Sequence, residues 1–157
     1  MNRAARRQHL RVLAKPRAQR SDRTKALLAT ISVEPVTNDP ADQAFVVHQK
    51  MRSAKERGLP AVAWSAGAVY LVAKRAMTGE RLGCMGVTVM PPEGKALIED
   101  FFVVPGRYGR IAAYAMFERL RALRAPKVGF VRIDNATMLD ALERVGMRVT
   151  AYIVEGG

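Results

Sequence analysis

The residues best placed to do chemistry lie between Ala96 and Met147. The first group is a glycine flanked by two arginines, Arg107-Tyr108-Gly109-Arg110, directly after an apolar stretch that reads as a buried strand. A strand that feeds a helix through a glycine-containing loop leaves unpaired backbone N–H groups at the positive end of the helix dipole. A phosphate can sit there, so nucleotide-like cofactors suit this place. Ordinary surface charge is the competing explanation for Arg107 and Arg110. A second group opens at Asn135, where a strand ends and another helix begins. Asn135 is most simply a helix cap, to which a cofactor contact would be additional.

The elements that must position these groups follow from pattern. A first strand is expected from Lys25 onward through A-L-L-A-T-I-S-V-E-P-V, stopped by Pro35. Asn38-Asp39-Pro40 starts a helix, which runs to about Arg57 and ends at Gly58, with Phe45, Val46, Gln49 and Arg52 marking its faces. Val69 to Lys74 and Leu82 to Met90 form an antiparallel hairpin about a turn at Met77-Thr-Gly-Glu. A strand from Ala96 to Val104 follows, then a helix from Ile111 to Arg124, whose apolar positions recur at helical spacing. Val128 to Ile133 is a strand, Asn135 to Val145 a helix closed by Gly146, and Arg148 to Val154 a last strand. Tyr108 and Tyr114 read as packing residues, and Cys84, mid-strand among apolar neighbours, as inert core.

Length and composition narrow the classes. With 157 residues and a hydrophobic fraction of 49%, the chain suits one domain with a core, and no apolar run approaches a membrane span. No membrane partner is expected. One cysteine excludes an internal disulfide, and His9 and His48 lack partners at ligand spacing, so no metal site is expected. A reducing, cytoplasmic compartment fits. The net charge of +12 is uneven, because residues 1 to 25 hold nine basic side chains against one acid. Arg3, Arg6, Arg7, Arg11, Lys15, Arg17, Arg20 and Arg23 would grip phosphates by counterion release, so nucleic acid or a nucleoprotein particle is one expected partner. A plain solvated tail and an organelle transit peptide are the other readings. The expected layout is a basic tail over 1–25 and one domain over 26–157.

The element order, Val103-Val104-Pro105 and N-A-T-M-L-D-A-L-E-R-V-G-M at 135 to 147 together resemble the GNAT superfamily of N-acetyltransferases. The resemblance implies an α/β (α+β) fold, a mixed and mainly antiparallel sheet of about six strands flanked by about three helices. It implies acetyl-CoA as cofactor, with strand backbone at Phe102, Val103 and Val104 holding the pantetheine arm. Loop amides around Arg107, Gly109, Arg110 and Ala112 would hold the pyrophosphate, and Asn135 would add a contact. Glu99 and Asp100 stand where the resemblance calls for a catalytic base, with a solvated strand end as the alternative. Since strand side chains alternate, one of the two is expected to face the cleft.

Two positions depart from the family pattern. Arg110 stands where the loop's middle glycine belongs, and Leu142 stands where many members carry a proton-donating tyrosine. These favour a non-catalytic binding or structural protein whose tail docks on nucleic acid or a nucleoprotein assembly. A weaker likeness to GNAT-like virion proteins of short-tailed phages points the same way, to a host-cytoplasm or virion setting. The alternative is an active acetyl-CoA-dependent N-acetyltransferase acting on a small amine or a protein amino group.

Overall fold

The computed structural model describes residues 22–37, 39–56, 58, 60, 64–90, 94–129, 138, 142 and 143. Residues 26–129 form one compact unit, and residues 1–25 group with 130–157 in a second. The described elements are α1 (Asp22–Ala29), β1 (Ile31–Pro35), α2 (Pro40–Glu56), β2 (Val69–Arg75), β3 (Arg81–Met90), β4 (Lys95–Val103), α3 (Arg107–Ala122) and β5 (Lys127–Gly129). One sheet runs in the order β1-β2-β3-β4-β5. The first four strands are antiparallel, and β5 joins β4 in parallel through Ala96↔Lys127, Leu97↔Val128 and Ile98↔Gly129. A mixed, mainly antiparallel sheet with flanking helices is therefore present. Met138, Leu142 and Glu143 are helical, while Asn135 and the strand expected over 148–154 lie outside the described residues.

Two boundaries differ from the sequence reading. The strand expected from Lys25 begins only at Ile31, because the residues of A-L-L-A, none of them branched at Cβ, complete α1 before the strand residues start. The helix expected from Ile111 begins a full turn earlier at Arg107, so the glycine and arginines assigned to a loop form its first turn.

Local chemistry explains α2. The Asp39 carboxylate accepts the N–H of Ala41 at 2.9 Å, and Pro40 occupies the first helical position, where a missing N–H costs nothing. That backbone bond, aided by Arg81 and Lys74 against a desolvation cost, holds Asp39 below the usual carboxylate value. Asp42, one turn in and 2% exposed, takes Arg81 Nε at 2.7 Å and pairs with Lys74, which ties the helix start to the β2–β3 hairpin. Gly58, at φ 66, follows the helix in the left-handed region.

The sheet has two covered faces. On one, Val46 of α2 packs with Tyr70, Val72 and Cys84, and Phe102 joins them. On the other, α3 presents Ile111, Ala112, Met116, Phe117 and Leu120, and Phe101 stacks on Phe117 at 5.1 Å. At the outer edge, the Val33 carbonyl accepts a bond from Arg119 at 3.1 Å and Pro35 has no N–H to offer, so β1 is a poor template for another strand. No described helix is long and apolar enough to cross a membrane.

Candidate functional site

The site is built on an irregularity in β4. Buried Ala96 and Ile98 lie on the α3 face, and so do Phe101 and Val103, a spacing that regular alternation forbids. One extra residue must therefore sit between Ile98 and Phe101. The pairing shows it: Gly86 opposes Glu99 and Cys84 opposes Phe102, so two residues of β4, Asp100 and Phe101, face one of β3, Met85. Asp100 takes φ 51, the only non-glycine residue at positive φ among the described ones. Aspartate tolerates this region better than most side chains.

The bulge turns both carboxylates to the α2 face, correcting the expectation that only one could point there. A Cβ placed on Gly86 would lie 3.0 Å from Glu99 Cγ and 3.1 Å from Tyr70 Cε1, so this acid and this phenol flank the same glycine. Thr88, two residues along β3, donates to Glu99 Oε1 at 3.2 Å. Asp100 Oδ2 accepts Lys50 Nζ at 2.7 Å and the Tyr70 hydroxyl at 2.7 Å. Lys50 also donates to Tyr70 Oη at 2.7 Å and to Ser65 Oγ at 3.1 Å, which uses all three of its N–H donors. Trp64 packs on the Tyr70 ring with centroids 4.4 Å apart.

These environments separate the roles of the groups. Burial disfavours the Lys50 ammonium, yet its bonds to Asp100 and Tyr70 outweigh that and hold it above its ordinary value, so it is charged. Burial pushes the Tyr70 phenol up, so it is neutral and donates. Burial, with the Asp100 charge beside it, pushes the Cys84 thiol up to about 12, which leaves it inert as expected. Asp100 is thus committed to two donors, one of them the Lys50 cation. Glu99 accepts from Thr88 through Oε1 and is half-buried, while Asp100, also half-buried, takes both of its donors on Oδ2.

The second half of the site is the turn after β4. Val104 donates to Leu82 O at 2.9 Å, so 104 and 102 bond toward β3 while the backbone groups of Val103 point to the opposite edge. Along that edge the described β5 ends at Gly129, level with Ile98. Gly106 then caps α3 at φ 101, with no side-chain cap and with no heavy atom within 4 Å of where a Cβ would lie. The first turn holds no acid, and Arg107 is exposed beside it.

Backbone N–H groups of the first turn, with Arg107 exposed among them, form a place where an anion can be accepted, and the Val103 backbone points away from β3. Arg110 is also exposed. Other assigned positions serve packing. The Phe102 side chain joins the core, Ala112 is fully buried, and Gly109 lies so close to Val104 that a Cβ would fall 1.8 Å from its carbonyl oxygen. Tyr108 carries the Arg75 guanidinium 3.7 Å above its ring. Arg23 is exposed on α1, and Arg3, Arg6, Arg7, Arg11, Lys15, Arg17, Arg20 and Asn135 lie outside the described residues.

Lys50, Tyr70 and Ser65 were not identified from sequence. A signal for Lys50 existed: it falls four residues after Val46 and four before Ala54, on the buried stripe of α2.

No protein-family model matches the chain, and no curated protein matches it. Solved structures do. A protein of Arthrobacter sp. FB24 assigned as an acetyltransferase aligns with TM-score 0.56 and 19% identity, over 78% of this chain and 95% of that one. A possible acetyltransferase from Clostridium difficile 630 aligns with TM-score 0.56 and 13% identity, over 82% and 97%. The aminoglycoside N-acetyltransferase AAC(6')-Iy, solved with the bisubstrate analogue CoA-S-monomethyl-acetylneamine, aligns with TM-score 0.50 and 11% identity, over 81% and 97%. At such identities the likeness establishes the fold, a divergent GNAT fold.

Proposed function

We propose that this chain is an N-acyltransferase that uses acetyl-CoA and an amine acceptor, a small amine or a protein amino group. The observation that supports the reading is the β4 bulge, which brings Asp100 onto the face that Glu99 occupies, and we assign Glu99 as the proton acceptor. An ammonium cannot attack a carbonyl until it loses a proton, and a positioned carboxylate that takes it contributes about 10²- to 10⁴-fold to rate. When bound, acetyl-CoA would supply the activated acyl group. Within this chain, the first turn of α3 and Arg107 hold its phosphates, Val103 orients its arm, and Glu99 receives the acceptor's proton. Thr88 fixes the Glu99 carboxylate from the β3 side.

A thermal melt tests the cofactor half of this reading. At about 100 times its dissociation constant a ligand adds about 2.7 kcal/mol. For a chain of this size that raises the melting temperature by roughly 5–10 °C. Millimolar acetyl-CoA with no shift would remove the enzyme reading.

A second reading, a non-catalytic GNAT-fold module, is favoured by Leu142, an alkyl chain that donates no proton, and by the nine basic residues of the first 25. In it, the tail docks on nucleic acid or a nucleoprotein assembly, a virion included. The bulge tips the balance toward catalysis, since a binding module has no need of a strained aspartate and a second carboxylate beside it.

A further inference from the structure

We propose that Lys50 is a positioning residue that acts through Asp100 to fix the β4 bulge, and with it the place of the Glu99 carboxylate. The strand pairing and the face taken by Phe101 require an extra residue between Ile98 and Phe101. They do not say whether position 99 or position 100 adopts the left-handed conformation. That choice rests on the side chain at 100, where two donors converge on a single oxygen, Asp100 Oδ2. Should Asp100 return to extended backbone, the peptide between 99 and 100 turns and Glu99 leaves Thr88 and the Tyr70 edge.

Lys50 suits this task and little else. Its side chain is 6% exposed, and its three donors reach Ser65 ahead of β2, Tyr70 within β2 and Asp100 in β4. With every donor engaged it has none left for a substrate. A buried ion pair is a poor net stabiliser compared with apolar packing, and fixing a register is its best-attested use. Here the register concerned is the turn of one strand residue beside the proposed base.

The full-length chain, Lys50→Met, the double variant Lys50→Met with Asp100→Asn, and Tyr70→Phe are compared by site-resolved amide hydrogen exchange. Lys50→Met alone leaves the half-buried Asp100 carboxylate without its cation and is expected to melt early. The double variant removes both charges together, and Tyr70→Phe keeps the ring while deleting one donor to Asp100, so both keep the fold. In the double variant the amides of residues 99–102 should exchange about tenfold faster than in the parent, with the rest of β2 and β3 unchanged. Tyr70→Phe should move the same amides by a smaller factor. Unchanged exchange at 99–102 in both variants would overturn the proposal. A kinetic arm rests on the acyl-transfer reading: the double variant should lose about tenfold in kcat with KM for acetyl-CoA unchanged, as expected when a proton acceptor is misplaced and the cofactor site is intact. A parent chain without transferase activity removes that reading, while the exchange result still decides the role of Lys50.

Discussion

Gly109→Ala is expected to destabilise the protein by about 3 kcal/mol, near the upper end of overpacking costs. For a chain of this length that lowers the melting temperature by roughly 10 °C. Glycine here is demanded by contact. A methyl group at this position would stand 1.8 Å from the Val104 carbonyl oxygen, and the neighbour is backbone that cannot rotate aside. To admit it, α3 must lift from the end of β4, and the α3 N-terminus moves away from the Val103 edge that completes the site. Thermal denaturation followed by circular dichroism measures the effect. A melting temperature within about 2 °C of the parent would mean that the turn from β4 to α3 is looser than described.

Glu99→Gln is expected to lower kcat by about 10²- to 10⁴-fold, the range for losing a general base. Glutamine has the same shape and its side-chain oxygen can still accept from Thr88, so the fold and the melting temperature should hold. It cannot accept a proton at neutral pH. Asp100→Asn provides the contrast, because its partners are Lys50 and Tyr70, both turned inward. That change should cost stability more than it costs the chemical step directly. Steady-state kinetics on the two variants, with melts alongside, separates the roles. Equal activity in Glu99→Gln and the parent would take the base assignment away from Glu99.

Much of this was legible in the residues, and the failures have physical causes. The element order from β1 to β5, the start of α2 at Asp39-Pro40 and the hairpin turn at Met77-Thr-Gly-Glu each had a local reason, a cap, a proline or a turn glycine, and each is present among the described residues. The start of α3 was misplaced because Gly109 was taken as a sign of loop. Its cause is tertiary, the closeness of Val104, which no local pattern announces. The A-L-L-A run was joined to β1 on hydrophobicity alone, although its residues favour helix and the strand starts at Ile31.

The bulge is not legible in the sequence. The run from Ala96 to Val104 is apolar at both parities on either side of Glu99 and Asp100, and only the strand pairing shows the inserted residue. Strict alternation wrongly divided Glu99 from Asp100. The Lys50 network lay beyond sequence reasoning for another reason, since its members come from α2, a loop, β2 and β4 and meet only when the sheet is assembled.

The account turns on whether this geometry transfers an acyl group. The most direct measurement is the release of free CoA thiol from acetyl-CoA by the purified full-length chain, followed with a chromogenic thiol reagent across a panel of amines. Cys84 does not interfere, because it is fully buried and burial pushes its thiol up to about 12. The account predicts thiol release that depends on the amine, saturates with acetyl-CoA and is lost in Glu99→Gln. Thiol release no faster than the uncatalysed background with every amine tested would contradict it.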